Sequence, residues 1–165
     1  MSRIASVPEL YAHAIAIERE AAERYAELAE RMRDESNEPL ATLFGELAAL
    51  EAGHLETLRQ RTEGIDLPPL ETRDYLWLGA YAPETAAREL VFRLMTPRHA
   101  LLIARSAEER AQAFFEHVMM TAEDPGLRAL AREMAAEEQE HVMILERMLE
   151  STPDPVVHWA DLYGP

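Results

Sequence analysis

The sequence predicts an all-α protein, an antiparallel four-helix bundle with a long crossover between its second and third helices. Three observations carry that expectation. Four long segments repeat apolar side chains with the helical period of about 3.6 residues. Each opens on a capping residue with a proline close behind: Ser6 and Pro8, Asn37 and Pro39, Thr96 and Pro97, Asp124 and Pro125. Finally, the chain repeats itself. A shift of 87 residues lays the second segment on the fourth, matching Leu40 with Leu127, Glu51 with Glu138 and His54 with His141. A shift of 90 lays the first on the third, matching Ala14 with Ala104, Glu18 with Glu108 and Ala21 with Ala111. Two helical hairpins of one design follow from this.

The elements can be taken in order, as helices over about 7–33, 38–63, 97–123 and 125–150 of a single domain spanning 1–165. The first begins at Ser6-Val7-Pro8-Glu9, where Ser6 can cap and Glu9 can complete a capping box. Its stripe is Tyr11, Ala14, Ile15, Glu18, Ala21, Ala22, Tyr25, Leu28, Ala29 and Met32. The second, after the polar break at 34–39, carries Leu40, Leu43, Phe44, Leu47, Glu51, His54 and Leu58, and Gly64 offers its stop. Residues 64–96 form the crossover, with Tyr75, Trp77, Leu78 and Tyr81 as packing aromatics and a short helix from Pro83 to Met95. The third helix aligns Leu101, Ala104, Glu108, Ala111, Phe115, Val118 and Ala122. The fourth aligns Leu127, Leu130, Met134, Glu138, His141, Leu145 and Met148. A proline-rich tail, 151–165, lays Val156, Val157, Trp159 and Tyr163 along the bundle and leaves His158 on the surface.

Composition removes whole classes of function. The chain is 48% apolar and 28% charged, with a net charge of −15. That balance argues against nucleic-acid and anionic-membrane partners, which need clustered Lys and Arg. The absence of Cys excludes disulfides, zinc–thiolate sites, iron–sulfur centres and thiol catalysis together. No signal-peptide core opens the sequence and no apolar run approaches a membrane span, so a cytoplasmic location is expected.

The charged positions on the four apolar stripes need a reason. Each helix carries a carboxylate where burial is expected: Glu18, Glu51, Glu108 and Glu138. Burying such a group is costly unless it is paired, protonated or bound to a metal. Two of them begin Glu-x-x-His, at Glu51/His54 and Glu138/His141, and side chains three apart share one helix face. With 25 Glu among 165 residues, six His would find a Glu three places upstream about once by accident, but not twice in a repeated frame. The repeat also selects Glu138 over its neighbour, because Glu137 aligns with Leu50. Folding the hairpins face to face gathers Glu18, Glu51, His54, Glu108, Glu138 and His141. Four carboxylates repel one another without counter-charge, and two divalent ions neutralise them. Oxygen and imidazole donors without sulfur suit iron or manganese, with zinc possible in vitro.

On these residues the chain resembles the rubrerythrin-like branch of the ferritin-like di-iron carboxylate superfamily, over residues 7–150. The resemblance implies a ferritin-like bundle, two irons, and Glu18 and Glu108 as terminal or bridging carboxylates. It makes Tyr25, seven residues after Glu18, a hydrogen-bonding residue of the outer shell. Three departures shape what it implies. Rubrerythrins carry a further carboxylate where this chain has Ala111, so the four-Glu, two-His set is more similar to a bacterioferritin ferroxidase centre. A cysteine-ligated rubredoxin domain is missing, so electrons must come from an external donor or from Fe(II) itself. Bacterioferritins place a haem-ligating Met where Ala52 stands, which argues against haem.

The expectation is therefore an oxidoreductase that reacts Fe(II) with dioxygen or peroxide, ferroxidase- or peroxidase-like, working as a homodimer. The alternative is a non-catalytic metal-binding or iron-buffering protein. An iron-storage subunit is disfavoured by the short tail, which supplies no fifth cage helix.

Overall fold

The computed structural model describes residues 4–70 and 96–153. Among them are four α-helices and no strand: α1 (Val7–Asp34), α2 (Glu38–Arg61), α3 (Pro97–Thr121) and α4 (Pro125–Ser151). The protein is an all-α, ferritin-like four-helix bundle. The crossover aromatics Tyr75, Trp77, Leu78 and Tyr81, the short helix from Pro83 to Met95, and the tail with Val156, Val157, His158, Trp159 and Tyr163 lie outside the described residues.

Local chemistry sets the helix ends. The Ser6 hydroxyl accepts the Glu9 amide, while the Glu9 carboxylate accepts the amide of Ala5, one residue ahead of the cap. Asn37, Thr96 and Asp124 cap the other three by accepting the amides of Leu40, His99 and Leu127. Each such bond satisfies one of the N–H groups that a helix start leaves without a partner. The α1–α2 turn is only three residues long. Ser36 takes a φ of 58° there, and the Asn37 amide donates back to the Met32 carbonyl at 2.8 Å. Gly64, with a φ of 79°, sits in the turn after α2.

α1 pairs with α2 and α3 with α4, as two hairpins whose faces then meet, α1 touching both α3 and α4. Arg98 at the start of α3 donates to the carbonyls of Leu149 and Thr152, and Arg128 near the start of α4 donates to that of Ala122. These bonds tie α3 to α4 at each of the hairpin's two ends.

The core is split in two. One apolar cluster holds Leu10, Ala14, Ile17, Leu58, Phe114, Phe115, Val118, Leu127 and Met134. The other holds Tyr25, Leu28, Met32, Phe44, Leu47, Leu101, Leu145 and Leu149. Between them in sequence, on every helix, lies a buried carboxylate: Glu18, Glu51, Glu108 or Glu138. A charged layer thus sits between two apolar halves of the bundle.

Burial on α1 is wider than one stripe. Ala12, His13, Ala16 and Ile17 are buried, whereas Tyr11 and Ile15 are half-buried. Ile17 belongs to the apolar cluster and His13 lies against Phe114, while Ala12 and Ala16 line a cavity with Leu67, Pro68 and Leu70 of the chain after α2. A loop returning over the back of a helix leaves no mark in that helix's own periodicity.

Candidate metal centre

The charged layer is built by helix geometry. With 3.6 residues per turn, Glu51 and His54 project from one face of α2, and Glu138 and His141 from one face of α4. Glu18 and Glu108 stand opposite on α1 and α3. All six groups selected from the sequence come into this one layer.

Glu51 is the centre of it. Its Oε1 lies 3.0 Å from Nδ1 of His141, and its Oε2 lies 3.9 Å from Nδ1 of His54. The same His141 nitrogen is 3.6 Å from both Glu108 Oε2 and Glu138 Oε2. His54 Nδ1 is 3.8 Å from Glu18 Oε2. The two imidazoles stack, with centroids 5.4 Å apart and planes 14° from parallel.

Three groups present ligand atoms lying within 4.8 Å of one another: Glu51, His54 and His141; Glu108, Glu138 and His141; and Glu18, His54 and Glu137. Each could hold a metal ion. The first two contain only residues selected from the sequence. The third brings in Glu137, which the comparison of repeats had set aside.

The two sides of the layer differ in exposure. The His141 side chain is 3% exposed, and its carboxylate neighbours no more than 4%. The His54 side chain is 29% exposed. One end of the layer is sealed and the other opens to water.

Protonation follows from this burial. Burial pushes the Glu51 carboxyl up to about 9 and holds Glu138 well above the usual carboxylate range. Burial also opposes charge on His141, but Glu108, Glu138 and Glu51 outweigh it and push the ring up to about 12. Glu108 is the exception. Burial raises it, but His141, Glu138 and Tyr25 around it together hold it below its ordinary value. On the open side, the Glu18 carboxylate holds His54 above the ordinary value of an imidazole.

Tyr25, two helical turns beyond Glu18, is fully buried and donates its hydroxyl hydrogen to Glu108 Oε1. It also stacks on Phe44, centroid to centroid at 6.0 Å, so one face of the phenol is fixed by the apolar cluster. Replacing Tyr25 by Phe deprives Glu108 of that donor. The expected cost is about 1–3 kcal/mol of metal-free stability, read from urea unfolding. An unchanged midpoint would show that the phenol contributes packing alone.

Four ligand atoms in the layer are buried without a hydrogen-bond partner: Glu18 Oε2, Glu51 Oε1, His54 Nδ1 and His141 Nδ1. Native proteins leave very few such groups, and each has a specific cause. Here they face one another in pairs, Glu51 Oε1 and His141 Nδ1 at 3.0 Å and Glu18 Oε2 and His54 Nδ1 at 3.8 Å. Oxygen and nitrogen donors gathered in a closed space are what a cation requires once it displaces their protons, so the residues fit a metal.

Ala111, where rubrerythrins carry a further carboxylate, is buried in the apolar cluster with Phe114 and Phe115 and contributes no ligand. Among the described residues, no helix is long and apolar enough to cross a membrane.

A family model described as Rubrerythrin matches residues 9–87 of the chain. No curated protein matches it. Its fold is similar to the crystal structure of an uncharacterized conserved protein from Magnetospirillum magnetotacticum MS-1, with a TM-score of 0.81 and 37% sequence identity. That likeness covers 92% of this chain and 99% of the other. With the bundle, the split core and the acid–histidine layer in place, the chain belongs to the rubrerythrin-like branch of the ferritin-like superfamily.

Proposed function

We propose that the chain is a di-iron or di-manganese oxidoreductase, reacting Fe(II) with dioxygen or peroxide. The observation that carries this is the set of four buried, partnerless ligand atoms converging in the charged layer. Glu18, Glu51, His54, Glu108, Glu138 and His141 would hold the two ions. Glu51, the one carboxylate within 4 Å of both imidazoles among the described residues, would serve both ions. Oxygen and nitrogen donors without a thiolate suit iron and manganese, and the chain holds no Cys. When bound, a pair of irons would supply the electrons for reducing an oxidant.

The chain's own residues do the rest. Glu108 stays ionised in the metal-free protein and is oriented by the Tyr25 hydroxyl, so one carboxylate is ready before any ion arrives. The apolar clusters on either side exclude bulk water from the layer. The half-exposed His54 end is the side from which a small oxidant reaches it. An external donor would return electrons after turnover.

The test is anaerobic loading with two Fe(II) per chain, followed by stopped-flow mixing with dioxygen or with peroxide. Oxidation well above the rate of free Fe(II) in the same buffer is expected. Tight loading with no acceleration by either oxidant would instead indicate a metal-buffering protein.

A further inference from the structure

On α4, successive residues point about 100° apart, so Glu137 and Glu138 aim at different neighbours. Glu138 turns into the sealed side with Glu108 and His141. Glu137 turns the other way, and its carboxylate shares a 4.8 Å neighbourhood with Glu18 and His54. We propose that Glu137 is a seventh metal ligand, the fifth carboxylate of the layer, closing from the solvent side on the divalent ion that Glu18 and His54 would hold. This rests on the two-metal reading above and adds to it a ligand that makes the two ions inequivalent.

Three features support the assignment. The first is that Glu18 is almost wholly buried, yet its Oε2 has no hydrogen-bond partner and lies 3.8 Å from the equally partnerless Nδ1 of His54. That pair is aimed at the space Glu137 borders. The second is ligand count. His141 is surrounded by three buried carboxylates, Glu51, Glu108 and Glu138, whereas among the described residues His54 has only Glu18 and the shared Glu51 within 4 Å. Glu137 fills that shortfall. The third is contact with water. Glu137 is half-buried, whereas Glu133, one turn earlier on the same helix face, is engaged by Arg61 of α2. A carboxylate at the water boundary can meet a hydrated ion and follow it inward. The sealed Glu108 and Glu138 have no such access.

The experiment is a titration of the full metal-free chain with Co(II), following heat and the visible ligand-field bands, for the wild type, Glu137→Gln and Glu133→Gln. Gln keeps the shape of Glu at a half-buried site, and helix content by circular dichroism checks that the fold is kept. Glu137→Gln is expected to weaken one of the two Co(II) sites by about tenfold or more and alter its band intensity, leaving the other within about twofold. Glu133→Gln, which removes an equal charge from the same face, is expected to change neither. An unchanged Glu137→Gln titration on a two-site background overturns the role of Glu137 alone. Equal losses in both variants also overturn it, because the effect would then be the general acidity of the surface. A wild type that takes up fewer than two Co(II) overturns the two-metal reading itself.

Discussion

Replacing Glu51 and Glu138 together by Ala is expected to reduce metal uptake from two ions per chain to none in equilibrium dialysis against Mn(II). Glu51 is the one carboxylate close to both imidazoles, at 3.0 Å from His141 and 3.9 Å from His54. Its loss therefore weakens both positions at once. Glu138 belongs to the sealed group with Glu108 and His141, so its loss removes a further donor where no water can substitute. Losing even an outer partner of a metal ligand costs about 10- to 100-fold in affinity, and direct ligands cost more. The metal-free double variant should still fold, because it loses two carboxyls that burial already disfavours. Circular dichroism separates that from unfolding. Retained uptake of two ions would falsify the ligand assignment.

The second large effect concerns pH. The metal-free protein is expected to lose stability steadily as pH rises from 6.5 to 9, and the metal-loaded protein is not. Glu51 has a folded value of about 9 against an ordinary 4.5, so its contribution is full below 4.5 and is lost as pH rises towards 9. His141 has a folded value of about 12 against an ordinary 6.5, so its contribution is full below 6.5 and declines as pH rises towards 12. Glu138, also raised, acts in the same sense. Glu108 is lowered, and its opposite contribution is lost only as pH falls below the usual carboxylate range, outside this window. The total is on the order of a few kcal/mol. Thermal melts in EDTA and in excess Mn(II) across the window would measure it.

The same protons must leave when metal enters. Glu51 and His141 hold protons at neutral pH without an ion and Glu138 is shifted in the same sense, so loading should release protons, and affinity should climb with pH. Calorimetry in buffers of different ionisation enthalpy counts them. A flat stability profile in EDTA, with no protons released on loading, would mean that the layer is already ionised and that burial is weaker than its geometry implies.

Much of this was legible in the linear chain because the relevant chemistry is local and periodic. A carboxylate on an apolar stripe stands out at Glu18 or Glu108 without any knowledge of partners. The spacing from Glu51 to His54 places both on one helix face wherever that helix lies. The repeat supplied the long-range step, since two copies of one hairpin have to meet face to face to bury their stripes. Tyr25 was legible as a residue of interest, but its partner was not. Only the approach of α1 to α3 brings its hydroxyl to Glu108. The burial of Ala12 and Ala16 was hidden for a similar reason, as their cover comes from Leu67, Pro68 and Leu70 far along the chain.

By itself, then, the sequence determined the helices, their caps, the two-hairpin plan and the six charged positions of the layer. Each depends on interactions within a few residues or on a repeat visible by shifting the chain. Tertiary structure alone decided that the layer has a sealed side at His141 and an open side at His54, and that Glu137 joins the open one. Alignment had matched Glu137 to an apolar residue and set it aside. Its place depends on how far α4 is rotated against α1 and α2, which packing of whole helices fixes and no local spacing records.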